Sequence, residues 1–192
     1  MNKKSKQIFN LTILVLLVLT SLGMTGKAQA NNSSQPKATL LLTGLDGGSG
    51  SAIGPDGALY VPETKAGKIW RIKPKTGART LFASGLPKMI PGVGIGGVMD
   101  VAFIDKTAYA LVTLVGPDVG GSDVVGIYRV DGPDSFTVVA DIGTFSMNNP
   151  PKPAFFVPTG VQYAMQPYQG GFLVTDGHHN RVLQVKLNGE IS

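Results

Sequence analysis

One phrase recurs three times in this chain, and that recurrence constrains the fold more than any single residue does. A short apolar start, a tight turn, a second apolar stretch, another turn, a third stretch and a fourth follow one another from Ser51 to Ala83. The order returns from Asp100 to Ala140. It begins again at Gly160 and reaches the start of a fourth stretch at Glu190-Ile191-Ser192. Trp70, Tyr128 and Leu183 hold matching places in the third stretch of each unit, each with an aliphatic residue two positions on (Ile72, Val130, Val185). These anchors are 58 and 55 residues apart. That exceeds the ~40–50 residues of a typical propeller blade. The excess sits in the Gly/Pro-rich connectors 87–97 and 143–158 and in the loop 116–123.

Four short strands per unit, tight turns within units and longer loops between them predict an all-β chain of β-propeller blades, each of four antiparallel strands. A β-sandwich also has many short strands, but it does not require the same phrase three times. The 26 glycines and 13 prolines are spread along the chain and punctuate it every few residues. No apolar pattern of helical period runs beyond two turns after residue 30, so almost no helix is expected there. The blades are placed at roughly 48–86, 98–142 and 159–192, within a partial propeller over 45–192. Closed propellers have about 4–8 blades. The chain therefore reads as the N-terminal half of a six- or seven-bladed protein, with a half-propeller that pairs with a second copy as the alternative.

The N-terminus carries a different signal. Lys3, Lys4 and Lys6 precede the uncharged apolar run 11–22, and Ala28-Gln29-Ala30 has the form of a cleavage site. This is the pattern of a secretory signal peptide over residues 1–30. The apolar run is short of the roughly 20 residues that a membrane span needs. The expected location is secreted or periplasmic, with residues 31–44 as a flexible lead-in. Four of the 17 basic residues and none of the 12 acidic ones lie in the signal, so the remainder is close to neutral. That argues against a nucleic-acid partner, which needs a clustered basic footprint. The absence of cysteine excludes disulfides, thiol nucleophiles and Cys-based metal sites.

The residues able to do chemistry are few. Asp176-Gly177-His178-His179-Asn180 holds both histidines of the chain. Imidazole suits transition metals and proton transfer near neutral pH. A divalent metal would draw Asp100, His178 and His179 together, with Glu63 as a further candidate ligand. A purely structural reading stands beside this one. Asp and Asn at turn ends bond their own backbone, and Gly177 is expected to supply a positive φ. Glu63 follows a strand and reads equally as a solvated turn carboxylate near Lys65 and Lys68. Asp100 opens an innermost strand, where a carboxylate either binds a cation or takes backbone N–H groups. Trp70, Tyr128, Phe82 and Phe136 are expected to pack blade on blade. The run 154–158 is expected to plug the gap between blades, or to rim a pocket for an aromatic ligand.

Three longer stretches carry a family resemblance. GSGSAIGPDGALYVPETKAGKIWRIKPKTG (48–77), GGVMDVAF (96–103) and VTDGHHNRVLQVKLNGEI (174–191) resemble the ScyD/ScyE family, and the last also resembles the NHL repeat. The family is one of exported propeller proteins named after members of a gene cluster for scytonemin, a cyanobacterial sunscreen pigment. The resemblance spans about 40–192. It implies a propeller roughly twice this length and leaves activity undefined. The readings it allows are a scaffold whose loop face holds a small molecule or a protein, and a metal-dependent lactonase, lyase or hydrolase of the six-bladed kind; the resemblance adds a late extracytoplasmic step of pigment synthesis as a third.

Overall fold

Residues 37–153 and 156–192 are described by a computed structural model, and in them the threefold phrase becomes three antiparallel sheets. The first holds β1 (Ala52–Ile53), β2 (Leu59–Glu63), β3 (Lys68–Ile72) and β4 (Arg79–Ser84) in sequence order. The second holds β5 (Gly97–Ile104), β6 (Thr107–Thr113), β7 (Gly126–Gly132) and β8 (Ser135–Asp141), again in order. The third is β9 (Gln162–Tyr168), β10 (Gly171–Asp176) and β11 (Arg181–Lys186). A fourth strand begins at its outer edge. Ile191 bridges Val185, and Gln184 and Ser192 exchange both backbone hydrogen bonds at 2.8 and 3.0 Å.

The anchors share one register. Trp70 lies opposite Val61, Tyr128 opposite Ala110, and Leu183 opposite Val174. Because side chains alternate across a strand, each sheet offers one face to the sheet before it and one to the sheet after. Two cores result. Tyr60, Ile69 and Ala83 of the first sheet pack with Val101, Ala110, Val112 and Tyr128 of the second. Tyr109, Leu111 and Ile127 of the second pack with Met165, Phe172 and Leu183 of the third. Aromatic pairs mark both seams, Tyr60 to Phe103 at 4.7 Å and Tyr109 to Phe172 at 5.1 Å between ring centres. Each fully buried Ile or Leu here contributes about 1.5–3 kcal/mol. All of this lies in the unit Leu40–Ser192.

Several expectations need correction. A helix, α1 (Ile142–Asn148), occupies what reads as an irregular connector. Its signal is local rather than periodic: Asp141 accepts from the Thr144 amide at 2.8 Å and from the Thr144 hydroxyl at 2.7 Å, which caps the first turn. Tyr128 and Phe136 do pack at the first seam, 5.7 Å apart, but Trp70 belongs to neither core. Its ring lies on the face of the first sheet turned away from the second, with the Arg79 guanidinium 4.7 Å above it. Of the apolar run 154–158, residues 154 and 155 lie outside the described residues. Phe156 is exposed, and Val157 is buried against Leu114 and Val161. The signal segment 1–30 and residues 31–36 of the lead-in also lie outside the described residues. No helix among the described residues is long and apolar enough to cross a membrane.

Candidate functional site

Asp176 with His179, Asp100 and Glu63 are buried in three separate settings, and His178 is half-buried. Asp176 ends β10 and is fully buried. Its Oδ1 accepts from the Val161 amide at 3.0 Å and the His179 amide at 3.4 Å. Its Oδ2 lies 3.1 Å from both Arg181 Nε and His179 Nδ1. His179 Nε2 is 3.0 Å from the Val157 carbonyl and so carries the proton on that side. Arg181 completes the cluster. One Nη donates to the Asn149 carbonyl at 2.8 Å, and the other donates to the Ser146 hydroxyl at 2.9 Å and lies 3.1 Å from His179 Nδ1.

This arrangement ties the β10–β11 turn to helix α1 and to the entry of β9. A buried carboxylate must find partners, and here a guanidinium, an imidazole and two amides surround it. The His178 ring lies edge-on to Phe156 at 5.2 Å and tilted against the His179 ring at 5.8 Å. The turn also differs in detail from expectation. Asn180, not Gly177, takes the positive φ, at 53°. Gly177 is needed for a different reason, since a Cβ there would press 2.7 Å from the Tyr163 ring.

Asp100 sits at the bulge of β5, where the register against β6 shifts between Val98 and Asp100. Its Oδ1 accepts from the Val101 amide and its Oδ2 from the Met165 amide of the next sheet, both at 2.9 Å. Burial pushes its carboxyl above the ordinary aspartate range, and those two amides pull against the rise. Of the two roles open to an inner-strand carboxylate, the geometry places it on backbone N–H groups. Gly50 passes so close to Asp100 that any Cβ would collide with the carboxylate.

Glu63 is buried rather than solvated, and its Oε1 accepts from the Asp46 amide at 3.0 Å. Lys65 pairs instead with Asp46, at 3.5 Å on the surface. Glu63 and Asp176 end equivalent second strands, and each fastens the chain that enters the first strand of its own sheet. Asp100, His178, His179 and Glu63 do not come together: no group of three or more His, Asp or Glu among the described residues could hold a metal ion.

Sequence reasoning missed three participants. Arg181 lies within the stretch 174–191, where nothing in the local pattern marks it as a partner of Asp176. Thr113 and Gln162, both fully buried, join the second and third sheets: the Thr113 hydroxyl donates to Gln162 Oε1 at 2.8 Å and accepts from the Gln162 amide at 3.1 Å. A polar residue opening an apolar strand was the available signal for Gln162.

An open groove lies elsewhere, on the loop side. The β2–β3 turn, the β4–β5 connector and the end of the β6–β7 loop enclose a groove of about 550 Å³. Met89, Tyr128 and Phe136 line it, with Lys65, Lys88 and Asp123 contributing charge. The Tyr128 hydroxyl donates to the Val124 carbonyl at 2.8 Å. Burial first, and then the charge of Asp123, push its phenol up to about 12, so it stays neutral. A smaller cavity of about 330 Å³ is lined by β1, β5 and β9, the innermost strands of all three sheets.

Neither a protein-family profile nor a curated protein sequence matches this chain. Among solved structures, virginiamycin B lyase from Staphylococcus aureus is 19% identical over 80% of this chain and 43% of its own, with a TM-score of 0.48. A streptogramin B lyase is 14% identical over 81% and 41%, with a TM-score of 0.47. The PQQ-bound aldose sugar dehydrogenase from Streptomyces coelicolor is 18% identical over 79% and 48%, with a TM-score of 0.44. The chain spans less than half the length of each of these proteins. Its three sequentially ordered antiparallel sheets, packed face on face, make it an all-β protein of propeller blades.

Proposed function

We propose that this chain is an exported binding scaffold of the ScyD/ScyE type, whose groove between the first and second blades holds a small molecule or a protein segment. The observation that carries the reading is a contrast in how polar groups are used. Asp176, Asp100 and Glu63 are engaged by backbone amides and Arg181 within the fold. The groove, by contrast, offers apolar walls and exposed lysines to whatever enters. An apolar floor with a few charged groups at the rim is the usual make-up of a ligand site. The two lysines outnumber Asp123 and favour an anionic aromatic ligand. Export rests on the three-part signal pattern of residues 1–30.

The test is a titration with an anionic aromatic dye, anilinonaphthalene sulfonate. Saturable binding of one dye per chain, weakened at least about tenfold by Lys88→Glu and by Lys65→Glu, supports the groove; such a loss corresponds to about 1.4 kcal/mol. Binding that ignores both substitutions overturns it. The catalytic alternative, a metal-dependent lactonase, lyase or hydrolase using Asp100, His178 and His179, predicts instead that a divalent cation binds stoichiometrically and that His178→Ala abolishes the binding.

A further inference from the structure

Three charged side chains line the groove between the first two blades, and they do not cancel one another. Lys65 shares its charge with Asp46, 3.5 Å away on the surface. Lys88 and Asp123 line the same groove with opposite charge and are both exposed. Neither is in an ion pair among the described residues, so the two charges stand apart within it.

The backbone that carries each charge is fixed. The Leu86 amide donates to the Gly67 carbonyl at 3.1 Å and the Met89 amide to the Thr64 carbonyl at 2.9 Å, which clamps the chain on both sides of Lys88 to the β2–β3 turn. The Lys88 stem crosses Gly67, where a Cβ would lie 2.9 Å from Lys88 Cγ. On the β6–β7 loop, the Asp123 amide donates to the Val115 carbonyl at 3.1 Å. Gly121 lets that loop close against the β4–β5 connector, since a Cβ there would lie 2.6 Å from Ile90 Cδ1. A site ordered in advance loses little freedom when it binds.

The rest of the lining adds apolar wall from Met89, Phe136 and the Tyr128 ring. The Tyr128 hydroxyl already donates its proton to the Val124 carbonyl at 2.8 Å. Asp123 is the one carboxylate among the lining residues.

We propose that the groove selects a two-ended ligand, a small aromatic whose anionic group meets Lys88 and whose other end carries an amino group that donates to Asp123. This selectivity rests on the groove being the ligand site, as proposed above. Both end contacts are charge-assisted hydrogen bonds, stronger than neutral ones. An aromatic anion without the amine meets Asp123 only as a like charge, and repulsion of that kind discriminates as well as attraction does. The volume of about 550 Å³ falls within the roughly 300–1,000 Å³ of small-molecule sites.

The experiment is a calorimetric titration of the exported chain with naphthalene sulfonate and with two aminonaphthalene sulfonates that differ in the distance from amine to sulfonate. The better amino isomer binds at least about tenfold more tightly than naphthalene sulfonate, a difference of about 1.4 kcal/mol. Asp123→Ala makes those two dissociation constants equal, and Lys88→Glu weakens both. Asp123 is exposed, so the variant is expected to keep its β-sheet circular dichroism. Should it lose that spectrum, Asp123→Asn takes its place and narrows the preference to under about threefold, because a neutral acceptor bonds more weakly than a charged one. Equal binding of the plain and amino sulfonates to the wild type, with both still weakened by Lys88→Glu, overturns the two-ended selection and leaves the groove as the ligand site. A preference that survives removal of the Asp123 charge overturns it too. Sulfonates that do not bind, or that ignore Lys88→Glu, overturn the groove reading and the selectivity together.

Discussion

Asp100 and Asp176 are two answers to one physical problem. Each is a buried carboxylate, each accepts two backbone amides, and each is approached by a glycine that leaves no room for a Cβ, Gly50 for one and Gly160 for the other. They differ in charge compensation. Asp176 has Arg181 and His179 beside it, whereas among the described residues Asp100 has amides and no cation in contact. The Asp176 seam therefore holds its charge through an ion pair that also fastens helix α1. The Asp100 seam tolerates the charge and is more stable when that charge is neutralised.

The largest test of this contrast removes the cation. Arg181→Met leaves Asp176 buried without its guanidinium and breaks the bonds to Ser146 and Asn149. Breaking a buried pair from one side costs about 3–5 kcal/mol. Arg181 is partly exposed, which puts the expected loss at the lower end. The denaturant midpoint checks it. A loss under about 1 kcal/mol, the range of a surface pair, would show that Asp176 does not depend on Arg181.

Next come the glycines. Gly160 adopts a φ of 73° and packs against the Asp176 carboxylate. Gly160→Ala therefore costs about 1–2 kcal/mol for the left-handed backbone, and the collision with Asp176 adds to it. Gly50 has no positive φ, so Gly50→Ala meets only the collision with Asp100. The difference between the two unfolding free energies isolates the backbone term. Equal losses would mean that crowding alone decides both sites.

This is also where the limits of sequence reading become physical. The strands were legible because alternation and turn residues are local, and both seams followed from them. Trp70 sits at the same strand position as Tyr128, yet it joins neither core because no described blade precedes the first. Helix α1 was hidden because its cap, Asp141 to Thr144, is a single contact rather than a period. The sequence singles out Asp176, His179, Asp100 and Glu63 as chemically able side chains, but not the groups that each one bonds. Whether a carboxylate meets an arginine or an amide depends on chain segments such as 46–50 and 157–161, whose paths no local pattern encodes.

Asp100 gives the pH-dependent test. Its folded carboxyl titrates above the unfolded value of 3.8. The folded state therefore binds the extra proton, and stability from this group is fully present below that value and lost as pH rises through the folded one. Asp100→Asn removes the titration and also weakens one amide contact, at about 1–3 kcal/mol. Subtracting the variant's urea midpoint from that of the wild type, from pH 3 to 7, should show the wild-type advantage shrinking just above the ordinary carboxylate range. Asp56, Asp131 and Glu190 are each held below their ordinary values by hydrogen bonds, chiefly to Ala58, Thr137 and Lys186 respectively. Their opposite trend is common to both proteins and cancels. A flat difference would mean that the two amides fully offset the burial of Asp100.

The smallest effect is expected at Glu63, the counterpart of Asp176 on the first blade. It holds a single amide, that of Asp46, through one oxygen. Glu63→Gln keeps that acceptor, so the loss should stay within about 0.5–1 kcal/mol, the net worth of one hydrogen bond. A loss as large as that of Arg181→Met would mean that the 46–50 segment depends on the full charge of Glu63. Equivalent positions in the first and third blades would then fasten their chains by the same electrostatic means, and the separate role assigned here to Arg181 would fall.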